Sequence, residues 1–199
     1  MALIKNWDNN TWLSSKDYIR SFSKFLIQNT KLNFKSEILD IGCGRGKISG
    51  NLYSELKLTS KPIGIDIVNH KDKDKRVKFK KSNGLTFLNK NKNFFDLILI
   101  KQTIHLLKMN EITKLINLCK KSLKSKGVIV VLTLDPNKNE IPTFKLMNTK
   151  LENSLNRDKK IITLLKKNNK VLKVKKFIYK VKILKSKYVQ MINDKYISI

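Results

Sequence analysis

Gly42, Gly44 and Gly46 fall within the stretch ILDIGCGRGKIS of a 199-residue chain that has only seven glycines. A short apolar run ending in Asp40 leads into them. A second apolar run, PIGIDI (62–67), places Asp66 a further 20 residues beyond Gly46. Glycine lets a backbone turn tightly and approach a bound group closely, since no Cβ intervenes. A helix opening from such a loop offers free N–H groups to a polar or anionic group. A carboxylate at the end of the following strand accepts hydrogen bonds from both hydroxyls of a ribose. Together these point to a nucleoside-containing cofactor; the competing reading is a tight strand-to-helix turn with no ligand. The loop is G-x-G-x-G followed by Lys47, so it is neither the dinucleotide fingerprint G-x-G-x-x-G nor a P-loop. A proton acceptor is available in His105, since the only other histidine, His70, lies in the charged run NHKDKDKR. His105 reads equally as a general base and as a residue at the start of the next helix.

These residues need a frame. Tyr18, Ile19, Phe22, Phe25 and Leu26 recur at helical spacing over 15–28, with Ser14 or Ser15 as cap. A strand is expected at 37–41, a helix from Lys47 to Leu56, and strands at 62–67 and 76–81. FFDLILI (94–100) is a continuous apolar run of the kind that a parallel sheet buries on both faces. Residues 110–124 read as a helix capped by Asn110 and ended by Lys126-Gly127, and VIVVLTL (128–134) as a buried strand. NHKDKDKR is too short and too charged for a crossover helix, so one helix of the alternation is expected to be missing. Helices are expected at 143–155, 158–168 and 186–195. In 171–183, Phe177, Tyr179, Val181 and Ile183 alternate with lysine, as antiparallel edge strands do. The whole reads as one α/β domain built on a mainly parallel sheet.

Composition excludes several classes. The longest apolar runs are strand-length, too short to span a bilayer, and the N-terminus lacks the apolar core of a signal peptide. Two cysteines, Cys43 and Cys119, support neither a disulfide framework nor a Cys-rich metal site. A cytoplasmic monomer or homodimer is the simplest expectation. The net charge of +28 is the footprint of a nucleic-acid binder, yet only Arg20, Arg45, Arg76 and Arg157 among 43 cations are arginine. Arginine is the cation that phosphate and base recognition favours. The lysine excess therefore reads mainly as compositional background, with a nucleic-acid partner in second place.

The motifs, taken in order over about 35–135, resemble the class I S-adenosylmethionine-dependent methyltransferases. EILDIGCGRGKIS is similar to their first motif, IGIDI to the second, VKFKKSNGLTFL to the third and FFDLILIKQTIHLL to the fourth. The resemblance implies a Rossmann-like, seven-stranded, mainly parallel sheet with an antiparallel C-terminal edge and helices on both faces. It implies S-adenosylmethionine as cofactor, with S-adenosylhomocysteine as product. Gly42, Cys43, Gly44 and Gly46 would pass beneath the methionine moiety, with Asp40 orienting the loop. Asp66 would hold the ribose and Ile67 the adenine face. Asn83 and Gly84 would meet the adenine edge, although the family usually has Asp at the position of Asn83. Lys101 and Gln102 would border the methionine end. The resemblance also divides the chain into an N-terminal lid (1–34), a cofactor core (35–135) and a substrate side (136–199).

Substrate class is read largely from what is missing. No (Asp/Asn)-Pro-Pro-aromatic motif of the DNA amino-methylating enzymes follows 94–100. Neither cysteine is placed as the nucleophile of a 5-methylcytosine enzyme: Cys43 is in the loop and Cys119 on an apolar helix face. The tail resembles small-molecule methyltransferases of the ubiquinone-biosynthesis type. Trp12, Tyr18, His105, Tyr188 and Tyr196 are then the expected substrate-binding residues, although aromatics at the chain ends also serve as core. A small-molecule acceptor leads. An RNA methyltransferase is the alternative, since 159–187 holds twelve lysines and no acidic residue. A non-catalytic cofactor-binding subunit is the third.

Overall fold

A computed structural model describes residues 15–135, 145–168, 172–181 and 184–193. Its five strands are β1 (Ile38–Ile41), β2 (Ile63–Asp66), β3 (Lys78–Lys81), β4 (Phe95–Lys101) and β5 (Leu123–Leu132). They form one sheet in the order β3-β2-β1-β4-β5, and every neighbouring pair is parallel. The helices are α1 (Lys16–Asn29), α2 (Lys47–Glu55), α3 (Gly84–Asn89), α4 (Met109–Ser122), α5 (Lys145–Asn168) and α6 (Lys185–Asn193). A 3-10 turn, Ile104–Leu106, follows β4. No helix among the described residues is long and apolar enough to cross a membrane.

The apolar runs of β1 and β4 are continuous because both faces of the sheet are covered. Ile38, Leu97 and Leu99 face α1 and α2, meeting Tyr18, Phe22, Leu26, Ile48 and Leu52. Leu39, Ile41, Ile98 and Ile100 face the other way, toward Leu88, Ile112, Ile116 and Ile161 of α3, α4 and α5. Full burial of such a side chain contributes about 1.5–3 kcal/mol. Ser15 starts α1 by accepting the Tyr18 N–H at 3.2 Å. The interior helix face then repeats as Tyr18, Phe22 and Leu26.

Several expectations need correction. Among the described residues the sheet has five strands, not seven, and no antiparallel edge. Residues 172–181 form no ladder, although their alternation is real: Phe177 and Tyr179 are half-buried between exposed neighbours. Their rings meet α1 instead, Phe177 lying 5.2 Å from both Phe22 and Phe25, and Tyr179 5.2 Å from Tyr18. A helix face thus satisfies the apolar side that an edge strand was expected to need. The helix expected to end at Gly127 stops at Ser122, and β5 begins at once. Gly127 instead sits at an irregularity in β5, where an added Cβ would come within 2.7 Å of the Phe95 carbonyl oxygen. Asn110 is not the cap of α4. Lys108 holds that position, its N–H donating to the Glu111 carboxylate at 2.8 Å. The two helices expected at 143–168 are one, since Arg157 and the buried Asp158 run through the expected break.

No helix joins β2 to β3, as expected. Asp74 closes that loop by accepting from the Arg76 backbone N–H and from Nε and Nη2 of its guanidinium, while its own N–H donates to Arg45 O at 2.9 Å. Its carboxylate lies so close to Gly50 of α2 that a Cβ there would meet it at 2.5 Å. The charged run NHKDKDKR is therefore fastened to the start of α2 by one acidic residue.

Candidate functional site

The chain runs outward from β1 through β2 to β3 and then returns to place β4 on the other side of β1. That reversal opens a crevice at the carboxyl ends of β1 and β4, where ligands of such sheets bind. The glycine loop leaves β1 there. Gly42, Gly44 and Gly46 have φ of +71°, +55° and +72°, the left-handed region that costs an L-residue about 1–2 kcal/mol. Gly42 and Cys43 both donate to Ile65 O, at 2.9 and 3.1 Å, tying the loop to β2. Gly46 donates to Cys43 O at 2.8 Å and hands the chain to α2.

Asp66 stands at the end of β2 with its carboxylate against the loop. One oxygen accepts from Gly44 N–H and the other from Val68 N–H, each at 2.9 Å. Ile67 beside it is 64% exposed, an apolar surface left open next to the carboxylate. Asp40 is 4% exposed and bonded by the Ser49 hydroxyl of α2. Burial pushes its carboxyl up to about 6; the Ser49 bond and the Lys101 charge oppose that rise, and Asp66 adds to it. Burial also pushes the Cys43 thiol up, with Asp40 and Asp66 adding, so Cys43 is an inert packing group.

Across the crevice, β4 ends in Lys101. Its ammonium lies 5.9 Å from the centre of the Tyr18 ring. Gln102 holds a left-handed φ of +53° while donating to Leu132 O at 3.0 Å, a strained residue beside the glycine loop. Thr103 reaches back to the loop, and a Cβ on Gly42 would stand 2.2 Å from its hydroxyl oxygen. Two of the glycine-loop requirements are thus internal: Gly42 makes room for Thr103, and Gly64 on β2 makes room for Cys43.

Asn83 caps α3, its side-chain oxygen accepting from Leu85 N–H at 2.8 Å, and Gly84 is the first residue of that helix. His105 lies half-buried in the 3-10 turn. Its backbone carbonyl accepts from the Arg157 guanidinium at 2.8 Å, and the Leu107 carbonyl accepts from the same group. Burial lowers the imidazole pKa; the nearby Asp158 opposes this and Arg157 adds to it. His105 is therefore neutral near pH 7. Tyr18 is buried in the α1 aromatic cluster with its phenol pushed up to about 12 by burial, while Tyr188 is half-buried on α6. Trp12 and Tyr196 lie outside the described residues.

The structure thus brings together Asp40, Gly42, Cys43, Gly44, Gly46, Asp66, Lys101 and Gln102. It adds Ser49, Thr103, Arg157 and Asp158, which sequence reasoning missed. Ser49 follows Asp40 by nine residues and faces back only because α2 folds over β1. Arg157 was legible at most as one of four arginines in a lysine-rich chain. An open depression of about 480 Å³, lined by Glu37, Lys61, Lys78 and Phe94, lies at the opposite, amino ends of the strands, away from this chemistry.

A family model described as a methyltransferase domain matches residues 32–195. No curated protein matches the chain. Solved structures share the fold. One is a SAM-dependent methyltransferase from Archaeoglobus fulgidus, at 20% identity and a TM-score of 0.52, covering 69% of this chain and 68% of that one. A second is from Leishmania major, at 23% identity and a TM-score of 0.50, covering 63% and 56%. A third is phosphoethanolamine N-methyltransferase 1 of Haemonchus contortus, solved with phosphoethanolamine and S-adenosylhomocysteine, at 14% identity and a TM-score of 0.52, covering 63% and 29%. The chain spans about two thirds of the first and less of the other two. At these identities the likeness is one of fold.

Proposed function

Because the chain belongs to the methyltransferase-domain family, we propose that it transfers a methyl group from S-adenosylmethionine to a small-molecule acceptor. The observation that carries the cofactor is the Gly44–Asp66 contact across the mouth of the β1 crevice. It sets a run of left-handed glycine backbone beside a carboxylate and the open Ile67. That donor set fits a ligand with a ribose, an apolar base and a charged amino-acid tail. In this reading Gly42, Cys43, Gly44 and Gly46 line the methionine side and Asp40 braces the loop. Asp66 takes the ribose hydroxyls, and Ile67 covers the adenine. Asn83 and Gly84 border the adenine edge, with Asn83 dividing its oxygen between the α3 cap and the ligand. Lys101 and Gln102 close the methionine end. Residues 35–135 hold the cofactor, and 1–34 with 136–199 shape the acceptor side, with Trp12, Tyr18, His105, Tyr188 and Tyr196 as its acceptor-binding residues.

When bound, the sulfonium supplies an electrophilic methyl carbon; the acceptor's electron pair forms the new bond, and the carbon–sulfur pair returns to sulfur. Holding the acceptor in line supplies much of the rate, and a base is needed only where the acceptor atom carries a proton. His105, neutral and half-buried just beyond β4, is the group that takes it.

One observation favours a second reading, an RNA acceptor. Lys159, Lys160, Lys166, Lys167, Lys173 and Lys180 are all solvent-exposed on α5 and 172–181. The two readings part in one experiment. The protein is incubated with methyl-labelled S-adenosylmethionine and either RNA or a fraction of small metabolites. Label in the metabolite fraction supports the first reading. Label in RNA, with binding that weakens steeply as salt rises, replaces it with the second.

A further inference from the structure

The segment 172–181 has one side that the fold uses and another that it leaves in solvent. Phe177 and Tyr179 turn inward to the α1 aromatic cluster, and Lys175 donates to the Asn29 side chain at the end of α1. Every other residue of the segment is exposed. Ile178, between the two inward rings, is 78% exposed, and Val174 is 66% exposed. Leu184, immediately before α6, is 75% exposed. Single aliphatic side chains on a surface are ordinary, but a group of them along one short stretch marks a contact surface. Lysines interleave them: Lys173, Lys175, Lys176, Lys180 and Lys185 are exposed too, and Asp135 reaches in to pair with Lys176 at 3.4 Å. Over 159–187 the chain has twelve lysines and no acidic residue.

We infer that the outer side of 172–184 docks on an anionic lipid surface. The side-chain types choose this partner over two others. A second copy of the chain would set lysine against lysine. A nucleic acid favours arginine forks and exposed rings on which bases stack. No arginine follows Arg157, and the two rings of 172–181 are the ones turned inward. What faces outward is aliphatic and cationic, the pair of features that holds a protein at a lipid interface. Val174, Ile178 and Leu184 enter the boundary between headgroups and acyl chains. The lysine stems lie along that boundary and carry their ammonium groups up to the lipid phosphates. The α1 anchor holds the segment open for this, since Phe177 and Tyr179 keep its inner side on the protein. The attachment is peripheral, and it does not rest on the methyl-transfer reading.

Co-sedimentation of the full chain tests this, with vesicles of phosphatidylcholine alone and of phosphatidylcholine mixed with phosphatidylserine, at physiological ionic strength. Wild type is expected to bind the mixed vesicles and not the neutral ones. Val174→Ser with Ile178→Ser keeps every lysine and is expected to weaken that binding about tenfold or more. Lys173→Gln with Lys180→Gln is expected to weaken it by a similar factor. Lys90→Gln with Lys92→Gln, which removes the same charge beside the end of α3, should leave it near wild type. All six positions are exposed, and circular dichroism checks that each variant is folded. Equal vesicle affinity in wild type and Val174→Ser with Ile178→Ser overturns the inference, because only diffuse attraction from the net charge of +28 would remain. Binding to poly(U) without binding to mixed vesicles gives the surface to RNA and overturns it. A wild-type dimer that the same two serines dissociate gives it to a second copy and overturns it as well. Vesicle binding is read without cofactor, so S-adenosylhomocysteine affinity, measured separately, tests the methyl-transfer reading alone.

Discussion

The two sides of the crevice are built differently. On the β1–β2 side, the proposed site is written into backbone: three left-handed glycines, amides tied to Ile65 O, and a carboxylate 22 residues from the amide it accepts. On the β4–α5 side it is written into side chains that meet across half the chain, with Arg157 reaching His105 over 52 residues. The first side is rigid because few residue types fit its geometry. The second is held by side-chain bonds from α5 to the turn after β4, while Ile161 and Leu165 of α5 pack into the core against the sheet. A fold that keeps one cofactor while exchanging acceptors needs this division.

Substitutions can break the comparison. The largest expected effect is on the backbone side. Gly42→Ala adds left-handed strain and a clash with Thr103, about 2–4 kcal/mol together, read as a drop in chemical-denaturation stability. Adding Thr103→Ala should recover only the steric part; full recovery would mean that the backbone conformation is not the constraint.

Asp40 gives a pH signature on the same side. Its folded pKa of about 6 lies above the ordinary 3.8, so the folded state holds the extra proton between those values. Its contribution to stability is then fully present below about pH 4 and lost as pH rises through about 6, by up to about 3 kcal/mol. The difference between wild type and Asp40→Asn should show that slope. A flat difference across pH 4–6 would mean that Asp40 is not buried as described.

On the side-chain side, Arg157→Leu removes two charge-assisted bonds to the 3-10 turn and is expected to cost about 1–3 kcal/mol. It should leave S-adenosylhomocysteine affinity near wild type. A loss of that affinity as large as the loss of stability would erase the division between the two sides. The smallest effect is at the surface: Lys176→Ala breaks an exposed ion pair with Asp135 (3.4 Å) and should change stability by less than about 1 kcal/mol.

What was legible in the sequence follows the same division. The β1–loop–α2 unit, β2 with Asp66, β4 and the interior face of α4 all follow from periodicity and spacing over short distances. Asn83, expected at the adenine edge, is seen as the N-cap of α3, its side-chain oxygen accepting from Leu85 N–H. The misses were long-range. The alternation of 172–181 was read as an edge strand because sequence cannot say whether an apolar face meets a strand or a helix. Gly127 was read as a helix stop, whereas its requirement comes from the Phe95 carbonyl 32 residues earlier. Thr103, Arg157 and Asp158 have no local pattern that marks them. Their roles exist only once β1, β4 and α5 are side by side.

The central claim is that the Gly44–Asp66 mouth is a cofactor site, and calorimetric titration with S-adenosylhomocysteine tests it most directly. Wild type should bind, NAD should not, and Asp66→Ala should weaken binding about tenfold to a hundredfold while the protein stays folded. Equal affinity in Asp66→Ala, or no binding by wild type freed of co-purified ligand, would make the glycine loop a turn and nothing more.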